Sequence, residues 1–208
     1  MYFYNYLASN LPLFSASLVI IFIAIKNFNV RRKESLYFLS FTTIVLILSV
    51  IVAMESHSMA HGEIVASTVF TSLGYILRPI LLYIFILLAN MDQKRARRFY
   101  IVLFVPLVLN LIVYSFPWFF GVPGLSTIVY SYQLAADGTA EFIRGSVLNF
   151  FSHSVCVLYL VMLVYVSTIR FAGKHRRDGI VIILCVFIIV STVVTETITG
   201  RNDLLNII

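Results

Sequence analysis

The sequence predicts an all-α polytopic membrane protein, with six transmembrane helices, the start of a seventh, and a small extracytoplasmic β-hairpin between helices four and five. Three observations predict this. Six apolar stretches, at residues 11–25, 36–54, 64–89, 100–116, 146–169 and 180–199, fill almost the whole chain of 208 residues. Most approach or exceed the ~20 residues with which a helix crosses ~30 Å of hydrocarbon. Charged residues make up only 12% of the chain, about half the share of a typical globular domain.

Charge placement is the third observation. Of 15 Lys and Arg residues, twelve lie in the links after helices one, three and five. These are Lys26, Arg31, Arg32 and Lys33, then Lys94, Arg95, Arg97 and Arg98, then Arg170, Lys174, Arg176 and Arg177. The alternate links hold mainly acids: Glu55, Glu63, Asp137, Glu141 and Asp203. Basic links stay in the cytoplasm, so the N-terminus is expected outside. The net charge of +6 is thus topogenic, suited to anionic lipid head groups and not to nucleic acid.

Each element follows in order. Residues 6–10 are uncharged and extend the short first helix, and Tyr2, Phe3, Tyr4 and Tyr6 form an outer aromatic belt. The second helix ends at the link that carries His57 and His61, an i, i+4 pair which with Glu55 and Glu63 is a weak zinc candidate. The third holds Arg78 and Pro79 at mid-span. After the fourth comes the sole long loop, residues 116–145, with Trp118, four Phe and two Tyr. Its β-prone run 127–133, the turn signal Asp137-Gly138 and the returning run 141–145 predict a hairpin whose strands are six or seven residues apart. Both cysteines, Cys156 and Cys185, fall inside predicted helices, so neither a disulfide framework nor a C-x-x-C metal site is expected. Gly200-Arg201-Asn202-Asp203 reads as an outer turn, and Leu204 begins a further apolar run, the expected start of helix seven.

Arg78 is the foremost candidate for function. A cation at that depth costs several kcal/mol and ordinarily faces a partner or a wet cavity. Pro79 has no N–H, so the Tyr75 carbonyl loses its helical partner and a kink is expected. Arg78 therefore either anchors an anionic ligand or caps that freed carbonyl. Glu196, near the outer end of helix six, is a candidate counter-charge, although its depth differs from that of Arg78. His153, between Ser152 and Ser154, is a candidate proton sensor or ligand contact. Tyr75, Trp118 and Tyr130 complete the candidate ligand-binding set. No Ser/His/Asp constellation, phosphate loop or intramembrane acid pair points to catalysis, no intramembrane lysine points to retinal, and no cofactor is expected.

The layout resembles the multi-helix, seven-helix type sensory modules found at the N-termini of bacterial signalling proteins. The local likeness lies in Tyr130-x-Tyr132, Asp137-Gly138 and Phe142-x-Arg144-Gly145, with Ser146-Val147 where such modules carry Pro-Leu, and in Leu77-Arg78-Pro79. The resemblance implies a single transmembrane input domain over residues 1–208 in the bacterial cytoplasmic membrane. It implies a small-molecule or peptide ligand, no enzymatic activity in this chain, and a GGDEF diguanylate cyclase or histidine kinase domain beyond residue 208. It also implies a homodimeric parent protein. The competing readings are a small transporter or channel subunit, which would need a polar path through the bundle, and a membrane-embedded enzyme.

Overall fold

A computed structural model describes residues 11–30, 32–89, 97–119, 130–144 and 150–172, with four further helical positions at 180, 183, 184 and 187. The described residues form α1 (Leu11–Lys26), α2 (Arg32–Ala60), α3 (Ile64–Ala89), α4 (Arg97–Phe119), β1 (Tyr130–Leu134), β2 (Ala140–Arg144) and α5 (Phe151–Ala172). Three segments, Ser35–Ala60, Ile64–Ala89 and Phe151–Ile169, are long and apolar enough to cross a membrane. The apolar parts of α1 and α4, Phe14–Lys26 and Phe99–Ser115, are shorter. The described residues therefore supply three such spans where the sequence suggests six. Most of the sixth apolar stretch, Glu196 included, lies outside them, as does everything after it.

The helices suit an apolar surround. α1 turns Leu18 and Phe22 outward, each about two-thirds exposed, a surface that water would not tolerate in such quantity. Hydroxyls on the helices bond back to the carbonyl one turn earlier, as in Thr42 to Phe38, Ser49 to Val45 and Ser167 to Leu163. This satisfies them without solvent.

α2 runs six residues past the expected end at Met54, which makes Glu55, His57 and Ser58 helical. It is stopped by Gly62. The Glu63 N–H donates to the Ser58 carbonyl at 2.9 Å and the Gly62 N–H to the Met59 carbonyl at 3.2 Å. That is the Schellman pattern, with Gly62 in the left-handed region at φ +69°. α3 starts two residues later, so α2 and α3 pack as an antiparallel pair.

The hairpin pairs Tyr130 with Arg144, Tyr132 with Phe142 and Leu134 with Ala140. Its strands are closer in sequence than expected, with only residues 135–139 between them. The reason is turn chemistry. The Gly138 N–H donates to the Ala135 carbonyl at 3.0 Å and the Ala135 N–H to the Thr139 carbonyl at 2.8 Å. Gly138 sits at φ +83°, giving a three-residue loop built on a type I turn followed by a left-handed glycine. The Asp137 carboxylate accepts from the Thr139 N–H at 3.0 Å and the Thr139 hydroxyl at 2.6 Å. Those two bonds hold its pKa below the ordinary carboxylate value.

Two clusters hold the bundle together. One joins α3, α4 and α5 through Ile86, Ala89, Leu103, Leu107, Val155, Tyr159, Leu163 and Val166. The other gathers Tyr114, Tyr130, Tyr132 and Ala140, with Met59, Tyr75 and Phe142 against them. The hairpin thus belongs to the bundle and is no free appendage, as expected of a two-stranded unit that is marginal alone.

Candidate functional site

The site forms around one turn of α3, between Tyr75 and Pro79. α3 continues through Pro79, which is buried. The Tyr75 carbonyl, deprived of its helical donor, accepts instead from Asn110 Nδ2 on α4 at 3.0 Å and from the Ser152 hydroxyl on α5 at 2.9 Å. One backbone oxygen thereby ties three helices together. Arg78 does not cap it, so that of the two roles expected for Arg78 the capping one is taken by Asn110 and Ser152. The Ser152 N–H, an orphan donor at the start of α5, reaches the Tyr114 hydroxyl at 3.4 Å.

Asn110 is wholly buried. Its amide orientation follows from chemistry, because a carbonyl only accepts, so the NH₂ must face Tyr75. The other end, Oδ1, then has no donor among the described residues. A buried acceptor left open in this way costs about 1–3 kcal/mol.

The Tyr75 side chain is the hub of the site. Its ring centroid lies 4.8 Å from that of Tyr114, 6.0 Å from Tyr130 and, edge-on, 5.6 Å from His153. The Arg78 guanidinium carbon stands 5.8 Å from the same ring, within reach of a cation–π attraction. Arg78 is half-buried. No ion pair to Arg78 occurs among the described residues. Four residues expected at a site (Arg78, Tyr75, His153 and Tyr130) therefore converge. Trp118 lies in the last turn of α4 and Arg144 ends β2, but their side chains, like Gly145 and Glu196, fall outside the described residues.

Above the hub the hairpin is strapped down by tyrosine hydroxyls. Tyr130 is fully buried; its OH donates to the Thr68 carbonyl at 2.7 Å and accepts from the Ser72 hydroxyl. Tyr132 OH lies 2.7 Å from the Thr71 hydroxyl, which itself donates to Glu55 Oε1 at 2.5 Å. Glu55 is also a second acceptor for Tyr132 at 3.3 Å. Burial pushes both tyrosine pKa values well above the ordinary range, so both hydroxyls stay protonated donors at physiological pH. At the hairpin tip, a Cβ on Gly62 would come within 2.4 Å of the Gly138 carbonyl oxygen. The α2–α3 turn and the hairpin tip therefore touch backbone to backbone.

The His57 and His61 rings do meet four residues apart, tilted by 43° with centroids 4.2 Å from each other. His61 Nδ1 is engaged with the His57 carbonyl at 2.8 Å. Among the described residues no group of three His, Cys, Asp or Glu side chains gathers as a metal site would require.

Sequence reasoning passes over Asn110, Thr71 and Ser72, and takes Glu55 only as a link acid beside the weak zinc candidate. An asparagine in the middle of an apolar helix was a usable signal for Asn110. Glu55 carries no such signal, since at the end of an apolar run a carboxylate ordinarily faces water. No family model, no curated protein and no solved structure matches this chain.

Proposed function

We propose that this chain is a membrane-embedded sensory input module. A ligand is taken at the hairpin end of the bundle, and the change in helix packing is relayed to a cytoplasmic output domain of the diguanylate cyclase or histidine kinase kind. In this reading the bundle has six spans, the N-terminus and the hairpin face outward from a bacterial cytoplasmic membrane, and the parent protein works as a homodimer. The convergence of Arg78, Tyr114, Tyr130 and His153 on Tyr75 beneath the strapped hairpin carries the proposal. A cation about 20 Å along its helix from the hairpin end, by the rise per residue, is costly unless it has a task. The side chains that could perform one are assembled around it. The rest of α3 beyond Pro79 is apolar, which disfavours a polar conduit and with it the transporter or channel reading.

The test uses the purified chain in lipid nanodiscs and a panel of anionic and neutral small molecules, read by thermal shift. Ligands that stabilise the wild type should lose their effect in Arg78→Ala more than in Arg78→Lys, which keeps the charge but not the planar fork. They should also lose it when residues 127–143 are replaced by a short Gly/Ser link, with helix content unchanged. Equal shifts in all variants would sink the proposal. Labelling of introduced cysteines should place positions 30, 95 and 175 inside and 58 and 135 outside.

A further inference from the structure

Counted along α3, Arg78 lies far from the hairpin end, but the neighbouring helices begin and end close to it. The Tyr75 carbonyl bonds to Ser152, the second residue of α5, and to Asn110, which lies five residues short of Ser115, where the apolar part of α4 ends. Arg78 is three residues further along α3 than Tyr75. At the rise of 1.5 Å per residue it sits about 6 Å inside the start of α5 and about 12 Å inside the apolar end of α4. The turns that carry Glu55, Thr68, Thr71 and Ser72, with the hairpin bonded to them, project beyond that level. In a bilayer that matches α4 and α5, Arg78 is thus near the rim, a depth from which long basic side chains snorkel to the head groups.

Two basic side chains share the Tyr75 ring at this level. The guanidinium carbon of the half-buried Arg78 stands 5.8 Å from it, and the exposed His153 meets it edge-on at 5.6 Å. Both keep accessible surface, so they border the seam between α3 and α5 on its open side. From His153 an apolar stripe runs inward along α5 at helical spacing, through Val157, Val161 and Tyr165, each more than half exposed. We propose that this seam holds an anionic phospholipid of the hairpin-side leaflet. Its phosphate pairs with the planar fork of Arg78 and accepts an N–H from His153, and an acyl chain lies along the stripe. Charge complementarity selects this occupant. The stripe suits any lipid, but a cation with no ion pair among the described residues favours a net-negative head group over one whose own ammonium offsets its phosphate. The lipid docks from the bilayer side and needs no enclosed cavity. The inference rests on the sensory reading above and deepens it by naming a membrane-borne ligand.

The experiment titrates the full chain in neutral micelles with phosphatidylglycerol and, separately, with phosphatidylcholine of the same acyl chains, and counts bound lipids by native mass spectrometry. The first phosphatidylglycerol should bind about tenfold more tightly than the first phosphatidylcholine, the step expected for one charge-assisted contact. Arg78→Gln should erase that preference, Arg78→Lys should keep part of it, and His153→Gln should weaken it. Arg32→Gln, at the opposite end of the bundle, should leave it intact, which separates the seam from the basic links. Should Arg78→Gln fail to fold, a phosphatidylglycerol with a diazirine in its acyl chain must label the wild-type chain within residues 153–165 more than its phosphatidylcholine counterpart does. Equal affinity for the two lipids, a preference that survives Arg78→Gln, or labelling confined to other segments overturns the inference. Full displacement of the lipid by glycerol 3-phosphate overturns it too, since the site would then serve a soluble phosphate. If soluble anions still stabilise the wild type and not Arg78→Ala in any of these cases, the sensory reading stands without it.

Discussion

From Ile64 to Tyr75, α3 meets its neighbours through hydroxyls, a carboxylate and one displaced carbonyl. From Ile80 to Ala89, it meets them through aliphatic and aromatic volume. Tyrosines occur in both halves, but their hydroxyls end differently. Tyr159 donates to the Leu103 carbonyl at 2.6 Å and Tyr83 to the Tyr100 carbonyl at 3.3 Å, both backbone groups that any residue supplies. Tyr130 also donates to a backbone carbonyl, that of Thr68, but it and Tyr132 further engage Ser72, Thr71 and Glu55, side chains that particular residues must supply. The half beyond Pro79 therefore needs volume and tolerates exchange of identity. The half before it needs specific partners, as expected where a unique geometry matters more than bulk adhesion.

The largest effect expected is from Gly62→Ala. The new Cβ would need the left-handed conformation and would meet the Gly138 carbonyl oxygen at 2.4 Å and Leu134 Cδ1 at 2.8 Å. A loss of about 2–4 kcal/mol follows from backbone strain and overpacking together. Chemical unfolding in micelles measures it, and amide exchange should show the hairpin released while residues 80–89 stay protected. If residues 80–89 loosen equally, the two halves are not separable.

Next comes a matched pair of substitutions. Glu55→Ala leaves the Thr71 hydroxyl without its acceptor and the strap short of a partner, at about 1–3 kcal/mol. Leu163→Met in the other half conserves volume and should cost under about 1.5 kcal/mol without touching the hairpin. A larger loss for Leu163→Met than for Glu55→Ala would reverse the contrast drawn here.

The smallest effect concerns the turn. The Thr139 hydroxyl and N–H lower the Asp137 pKa, so the carboxylate's contribution is complete above its ordinary value of 3.8. It is lost as the pH falls through the lower, folded value. Thr139→Val removes one of the two bonds, and the Asp137 midpoint, followed by NMR titration, should move up toward the ordinary value. An unmoved midpoint would show that the hydroxyl contributes nothing there.

The sequence by itself determined the mainly helical architecture, the place of the hairpin and the proline step inside α3. Apolar run length, the β-prone run ahead of the turn and the Asp137-Gly138 signal are all local, and local signals act before the chain is folded. Even the orphaned Tyr75 carbonyl was legible, because proline removes a donor wherever it stands in a helix. Its rescuers were not. Asn110 and Ser152 lie 35 and 77 residues away from Tyr75, and Glu55 lies 77 residues from Tyr132. Only the docking of α4, α5 and the hairpin onto α3 decides such pairs. A hydrogen bond demands a partner within about 3 Å, and apolar periodicity specifies which face is buried without specifying which polar atom will meet it there.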